Sequence, residues 1–171
     1  MKLITSPDPI LQQKTIPWDF ENHVNAEVIE KEMLEIMKSN NGIGLAANQI
    51  GLDRSVFVMR LKDGREIGCF NPAILYAEGE QMDEEGCLSF PNLFLTVKRY
   101  EKLTAMYLDN TGEKCIIELE GIDSRCFQHE LDHLNGVCFT DGMSKLKLDR
   151  ALQKQRDRKS TRLNSSHGYI S

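Results

Sequence analysis

Hydrophobic residues recur at helical spacing in the first third of the chain. Between residues 26 and 37 the apolar positions fall on one face of a helix. Asn25 precedes this segment as a candidate N-cap, and Asn41-Gly42 follows it as a candidate stop. The pattern predicts an amphipathic helix, whose buried face comprises Ile29, Met33, Ile36 and Met37.

Two β-hairpins are predicted in the middle of the chain. Segments 55–59 and 66–70 are rich in β-branched and aromatic residues and flank Asp63-Gly64, a favoured hairpin turn. Segments 102–108 and 114–119 flank a second turn in the same way. These strands should pair antiparallel, because the connections between them are short.

Two further helices are predicted in the last third. Residues 122–135 show helical periodicity, and Gly136 follows as a stop. Residues 145–159 predict a last amphipathic helix, whose inward positions are Leu146, Leu148 and Leu152. Hairpins mixed with a few helices indicate an α+β fold.

Composition favours one folded domain. The chain has 171 residues, of which 40% are hydrophobic and 27% charged, values typical of a globular protein. We expect a single folded domain over residues 1–158. Residues 159–171 are polar and aperiodic, so we expect disorder there, and this tail could be non-native. Five cysteines without an export signal or a membrane-spanning apolar run favour reduced thiols and a cytoplasmic location.

Charge is distributed unevenly along the chain. The net charge is −5, but residues 1–144 carry 13 Lys and Arg against 24 Asp and Glu, whereas residues 145–162 carry 8 against 2. The basic segment could contact a polyanion such as ribosomal RNA, but the sequence alone favours the simpler interpretation of a solvated helix face rich in Lys and Arg. Nothing in the sequence indicates sequence-specific nucleic-acid binding or a membrane partner.

The clearest chemical signal is a His-Glu-x-x-His sequence. His129 and His133 are four residues apart and therefore share one face of the predicted helix. Two imidazoles at this spacing can bind one metal ion, and Glu130 is placed to exchange protons with a water molecule at that ion. A catalytic metal usually has three protein ligands and one open position.

The third ligand is ambiguous from the residues alone. Position 139, where one metalloprotease class has a histidine, is Phe139, and no glutamate follows His133. Two cysteines remain. Cys87 lies in a glycine-containing loop or short strand, and Cys126 lies three residues before His129 on the same helix. We prefer Cys87 modestly, because a buried cysteine is more often a small hydrophobic residue than a ligand.

A glycine-rich segment at 42–51 follows the first helix. Glycines such as Gly44 allow the backbone to approach a ligand closely, and the Gln49 amide can donate a hydrogen bond to a developing oxyanion. The segment lacks the Gly-Lys-Ser/Thr ending of a phosphate-binding loop. Taken alone, it fits a tight helix-to-strand connection at least as well.

Three segments together resemble the motifs of peptide deformylases, in order and rough spacing. They are Gly42-Ile43-Gly44-Leu45-Ala46-Ala47-Asn48-Gln49, Glu85-Gly86-Cys87-Leu88-Ser89 and Gln128-His129-Glu130-Leu131-Asp132-His133. The resemblance covers residues 1–158. It implies antiparallel sheets that surround a central helix carrying the His-Glu-x-x-His motif, with one helix near each end of the domain.

The resemblance also implies roles for individual residues. The metal ligands would be Cys87, His129 and His133, holding one divalent ion, with Fe(II) favoured and Zn(II), Ni(II) or Co(II) able to substitute. The catalytic groups would be Glu130 as general base and acid, and the Gln49 side chain and Leu88 N–H as oxyanion donors. Gly44 and Ile43 would bind substrate.

The implied activity is hydrolysis of the N-formyl group from N-formylmethionyl nascent peptides by metal-bound hydroxide. Two rival functions remain: a metallopeptidase acting on internal amide bonds, and a structural metal site in a binding module.

Charged residues near the three motifs are also expected to have roles at the site. We expect Glu85 to support a metal ligand, Asp132 to pair with Arg99, and Arg125 to line the rim of the substrate side-chain pocket.

Overall fold

The computed structural model describes residues 1–22, 25–161 and 170, with the side chains of 158–161 excepted. Its helices and strands follow in chain order as α1 (Ala26–Ser39), β1 (Gly44–Ala46), β2 (Val56–Arg60), β3 (Glu66–Glu78), β4 (Gln81–Cys87), β5 (Phe90–Arg99), β6 (Lys102–Leu108), β7 (Lys114–Glu120), α2 (Gly121–Leu134) and α3 (Lys145–Thr161). Two short 3₁₀ segments occupy Pro9–Gln12 and Ala47–Ile50. The predicted α+β class is confirmed.

The strands form two antiparallel sheets. A five-stranded sheet has the order β1-β2-β3-β6-β7, and β4 pairs with β5 in a separate two-stranded sheet. Both predicted hairpins are confirmed, since Val56 pairs with Phe70 at one end of β2 and β3, and Leu108 pairs with Lys114 across β6 and β7. The β4–β5 hairpin was not predicted, because its alternation is broken by acidic residues on an exposed face.

Helix α1 begins where the pattern predicts, and Asn25 occupies its N-cap position. The residue has φ of 82° in the left-handed region, and its side chain makes no capping hydrogen bond. The position of the cap is therefore confirmed, and asparagine tolerates this conformation better than most residues. Met33 and Met37 are fully buried and pack with Val58 of β2, so the predicted apolar face is confirmed there.

Helix α2 packs against strands of both sheets. It contacts β1, β2, β6 and β7 of the larger sheet and β5 of the smaller one. In the core beneath it, the rings of Phe57 and Phe127 meet edge to face with centroids 5.0 Å apart. The helix ends at Leu134 and Gly136 follows with φ of 72°, as expected for the predicted stop. That the sheets enclose this helix stays a prediction.

Helix α3 packs on the β4–β5 hairpin. Leu148 and Leu152 pack against a cluster containing Leu93 and Leu95, but Leu146 is 59% exposed, so its predicted inward position is wrong. Within the described part of the chain, no helix combines the length and apolar composition needed to cross a bilayer. The prediction of disorder is wrong for residues 159–161, because α3 continues to Thr161, and residues 162–169 and 171 lie outside the described residues.

Candidate active site

The second half of α2 supplies both imidazoles. His129, Glu130 and His133 are each at most 1% exposed, although two of these side chains are bases and one is an acid. Their positions follow from helix geometry, because residues one turn apart project from the same face. The two histidine rings lie edge to face with centroids 4.9 Å apart. Phe139 packs against the His129 ring with a centroid separation of 5.7 Å.

The β4–β5 hairpin brings Cys87 to these histidines. The pairing register shifts between Gly86 and Cys87 at the end of β4. The Cys87 Sγ lies 3.2 Å from His133 Nε2, and one donor atom from each of Cys87, His129 and His133 falls within 4.8 Å of the other two. The structure therefore brings together the three residues that the resemblance implied as metal ligands.

The rival cysteine, Cys126, lies outside this cluster. Its Sγ contacts the Ile43 carbonyl oxygen at 3.7 Å. Burial, and then the negative charge of Glu130, raise the pKa of the Cys126 thiol well above its usual value. The cluster geometry therefore favours Cys87 over Cys126 as the third ligand.

The donor set fits a transition-metal ion. Thiolate and imidazole are ligands that Zn(II) and Fe(II) both accept. Burial, and then the charges of His129 and Arg99, lower the pKa of His133 well below its usual value, which leaves the ring neutral as a ligand requires. His129 Nε2 is buried and has no hydrogen-bond partner among residues 1–22, 25–161 and 170. A buried nitrogen of this kind is explained if it serves as a ligand.

Glu85 supports His129 from behind. The Glu85 carboxylate is fully buried, and its Oε2 lies 2.9 Å from His129 Nδ1. This contact leaves Nε2 to face the cluster, as in other metal sites where a carboxylate orients the histidine. Burial opposes ionisation of Glu85, but hydrogen bonds from His129 and Arg99 and their charges hold its pKa far below the usual value. The prediction that Glu85 supports a ligand is confirmed as a contact.

Two arginines complete a buried ionic network. Arg99 donates to Glu85 from Nε and Nη2 at 2.9 and 3.0 Å, and to Asp132 from Nη1 at 2.5 Å. The predicted Asp132–Arg99 pair is therefore confirmed. Arg125 is 1% exposed and donates to Glu85 Oε1 at 2.6 Å. The prediction that Arg125 lines the pocket rim is wrong, because its guanidinium is buried in an ion pair with the Glu85 carboxylate.

The glycine-rich segment forms the opposite wall of the site. Gly44 approaches α2 so closely that a Cβ at this position would meet the Glu130 carboxylate, and would lie 2.8 Å from Cys126 Sγ. Only glycine fits here. Gln49 lies in the Ala47–Ile50 segment, where its Oε1 accepts from the Ala46 N–H and its Nε2 lies 3.1 Å from Ser89 Oγ.

The predicted catalytic residues therefore converge on one region. Gln49 Nε2 lies 3.6 Å from Cys87 Sγ, and Leu88 directly follows that cysteine. Leu88 is 6% exposed, and its side chain packs in the apolar cluster of α1. Its side chain is therefore part of the core, and any role of Leu88 in chemistry would fall to its backbone.

The backbone of Ile170 lies between Gly44 and Gly86. The N–H of Ile170 donates to the Gly86 carbonyl at 3.0 Å, and its carbonyl accepts from the N–H groups of Ile43 and Gly44 at 3.1 and 2.5 Å. The Ile170 side chain is 3% exposed and belongs to the same apolar cluster as Cys126. The groove beside the Cys/His/His cluster can thus take up a peptide backbone together with an apolar side chain. Nothing in the sequence of the tail predicted this contact.

Acid should destabilise the metal-free protein through Glu85. Its pKa is 4.5 when unfolded and lower when folded, so its stabilisation is complete above pH 4.5 and is lost as pH falls further. One such group contributes a slope of up to about 1.4 kcal/mol in the free energy of unfolding per pH unit. Urea unfolding at several pH values should show a smaller slope for Glu85→Gln than for the parent. Equal slopes would contradict the assignment.

Comparison with known proteins agrees with this geometry. A sequence model of the family described as polypeptide deformylase matches residues 1–149. A peptide deformylase from Rhizobium meliloti is 39% identical over 159 residues, which span 89% of this chain and 90% of that protein. One from Desulfotalea psychrophila is 40% identical over 164 residues, or 93% of this chain and 95% of that protein.

A solved structure leads to the same family. The crystal structure of a peptide deformylase from Legionella pneumophila is 34% identical and superposes with a TM-score of 0.84, covering 96% of this chain and 98% of that chain. Such identity over nearly the whole length goes beyond a shared fold. The chain belongs to the polypeptide deformylase family, whose members are hydrolases that release formate from N-formylmethionyl peptides.

Proposed function

We propose that this chain is a metal-dependent deformylase that removes the N-formyl group from the N-terminal formylmethionine of newly synthesised polypeptides. The observation that carries the proposal is the buried cluster of Cys87, His129 and His133, with the fully buried Glu130 beside it in sequence. We assign the catalytic unit to residues 1–158, and the nascent-chain substrate would place the protein in the cytoplasm.

Cys87, His129 and His133 would hold one divalent ion, in a donor set of one thiolate and two imidazoles. When bound, the ion would acidify a water molecule and polarise the formyl carbonyl. The same donors suit Fe(II), Zn(II), Ni(II) and Co(II), and the family resemblance favours Fe(II). Glu85 would keep the His129 ring oriented, since its carboxylate would accept a hydrogen bond from Nδ1–H and leave Nε2 to bind the ion.

Glu130 would move the proton. Its carboxylate lies at the wall formed by Gly44 and is shielded from solvent. There it can accept a proton from the attacking water and then deliver that proton to the departing amine nitrogen. One carboxylate serves both steps, because each step returns it to the state that the next one needs.

Gln49 and Leu88 would stabilise charge on the formyl oxygen. The Gln49 amide is held by the Ala46 N–H on its oxygen side, so its Nε2 is directed towards Cys87 and Ser89. The Leu88 N–H is the second proposed donor. Two fixed donors aimed at a developing oxyanion are worth more in a buried site than in water, because they need no reorganisation during the reaction.

The groove between Gly86 and Gly44 would bind the substrate backbone. The pairing of Ile170 with Gly86, Ile43 and Gly44 supports this, because both backbone polar groups of that one residue form hydrogen bonds there. The apolar cluster that buries the Ile170 side chain would receive the methionine side chain. Ribosome contact through the basic residues at 145–162, most of which lie on α3, is a further part of the proposal.

The decisive test compares acyl groups on one peptide. The protein is purified anaerobically, and the metal content of the same sample is measured. Formyl-Met-Ala should release formate. Acetyl-Met-Ala should react at least about 10²-fold more slowly, because the extra methyl group must be accommodated in a closed site. Casein should stay intact. Cleavage of casein with indifference to the formyl group would favour the metallopeptidase. A metal-loaded protein that releases no formate would favour the structural metal site.

A further inference from the structure

Arg125 is a buried cation with no assigned role. It lies on α2 one turn before His129, and its side chain is 1% exposed. Burying a guanidinium is costly, and replacing a buried ionic group by a well-packed apolar one often leaves a protein as stable or more so. Stability alone therefore does not account for Arg125.

The contacts of Arg125 join two separate parts of the fold. Its Nη1 donates to Glu85 Oε1 at 2.6 Å and to the Val97 carbonyl at 3.0 Å, and its Nη2 donates to the Gln81 carbonyl at 3.3 Å. Glu85 and Gln81 belong to β4 and Val97 to β5, whereas Arg125 belongs to α2. One side chain thus ties the helix to both strands of the hairpin.

The contacts of Arg125 join the two elements that carry the proposed metal ligands. Cys87 lies two residues after Glu85 on β4, and His129 lies four residues after Arg125 on α2. The β4–β5 hairpin makes no strand pairing with the larger sheet within the described residues. Its side-chain contacts with α2 therefore help to set the distance between the thiol and the imidazoles.

The carboxylate of Glu85 is held at both oxygens. Oε1 accepts from Arg125 and Arg99, and Oε2 accepts from Arg99 and lies 2.9 Å from His129 Nδ1. Removing Arg125 would leave Oε1 paired with Arg99, which belongs to the same hairpin, so the Glu85 carboxylate would keep its contact with His129 but lose its ion pair with α2. Because His129 is oriented by the same carboxylate, a shift of the hairpin relative to α2 would change the alignment of its ring.

We propose that Arg125 is a positioning residue for the metal site, holding the Glu85 carboxylate and the Cys87 strand in register with His129 and His133. The inference rests on the proposed function, because it takes the Cys/His/His cluster as the metal site. It assigns to Arg125 an effect on the geometry and lifetime of the bound metal, in addition to any effect on folding.

Cobalt-loaded protein provides the test. Arg125→Met should alter the visible absorption of bound Co(II) and release the ion to a chelator about 10- to 100-fold faster than the parent. Arg125→Lys should release it faster than the parent but more slowly than Arg125→Met, because an ammonium restores the charge without the fork. If Arg125→Met does not fold, the Lys variant carries the test alone. Parent absorption and release in either folded variant would overturn the proposal.

Two controls separate positioning from general destabilisation. Met33→Ala opens a cavity in the α1 core, in an apolar cluster that contains none of Glu85, Arg99 and Arg125, and should keep the parent spectrum and release rate despite lower stability. Arg65→Met removes an exposed arginine paired with Asp63 and should change neither measurement. If Cys87→Ala retained the Co(II) spectrum, the proposed metal site would fail instead, which distinguishes that failure from failure of the Arg125 inference.

Discussion

Replacing Glu130 with alanine is expected to lower kcat/KM for formyl-Met-Ala by about 10²- to 10⁴-fold, the usual contribution of a positioned general acid–base group. Metal content should stay at the parent value, because the proposed metal ligands are Cys87, His129 and His133, and Glu130 is not one of them. Formate release under saturating and subsaturating substrate, with metal analysis of each sample, measures both quantities. The loss should appear mainly in kcat, since the carboxylate acts on protons that move only during the reaction.

Two further variants sharpen this test. Glu130→Gln keeps the shape of the side chain and removes its basicity, so it should lose nearly as much activity as the alanine variant. Glu32→Ala removes an exposed glutamate of α1 and should leave turnover unchanged. Parental turnover by Glu130→Ala would contradict the acid–base role and favour a structural metal site.

Local patterns were sufficient for the parts of the site that lie on one element. The four-residue spacing of His129 and His133 places them together on any helix, and the Asp63-Gly64 turn specifies its hairpin. The choice between Cys87 and Cys126 is different. It depends on how the β4–β5 hairpin docks on α2, and this contact joins residues about forty positions apart in the sequence. The residues alone therefore left both cysteines open.

Two differences between sequence and structure share a physical cause. Asn25 occupies the N-cap position as predicted, but its backbone is left-handed and its side chain makes no capping hydrogen bond. Arg125 was expected at the rim of the substrate side-chain pocket, because arginine is rarely buried without a partner, and its partner Glu85 lies on another element. In both cases a general preference of the residue type was overridden by a neighbour or a backbone path that only the fold specifies.

The β4–β5 hairpin was not predicted because of acidic residues in β4. Glu85 is fully buried in β4, after the half-buried Glu84 and before the buried Gly86, so the strand shows no apolar alternation at this point. Its charge is balanced by Arg99 from the partner strand and by Arg125 from α2. Hydrophobicity patterns do not predict a strand whose buried position is occupied by a carboxylate.

Replacing Cys87 with alanine should abolish stable metal binding, whereas the same change at Cys126 should preserve it. Cys87 Sγ lies 3.2 Å from His133 Nε2, and its removal leaves two imidazoles, too few for a catalytic site that normally has three protein ligands. Even changes to residues behind a ligand cost about 10- to 100-fold in metal affinity, so loss of a direct ligand should cost more. Metal content after desalting and formate release should both fall to near background.

Cys126→Ala is the matched control for that prediction. It removes a thiol of the same kind that is equally buried, but whose Sγ contacts the Ile43 carbonyl and lies outside the ligand cluster. Its metal content should equal that of the parent, and any loss of activity should come from the altered wall of the groove near Gly44. The opposite result, with metal retained by Cys87→Ala and lost by Cys126→Ala, would move the third ligand onto α2 and remove the proposed role of the β4–β5 hairpin in holding the ion.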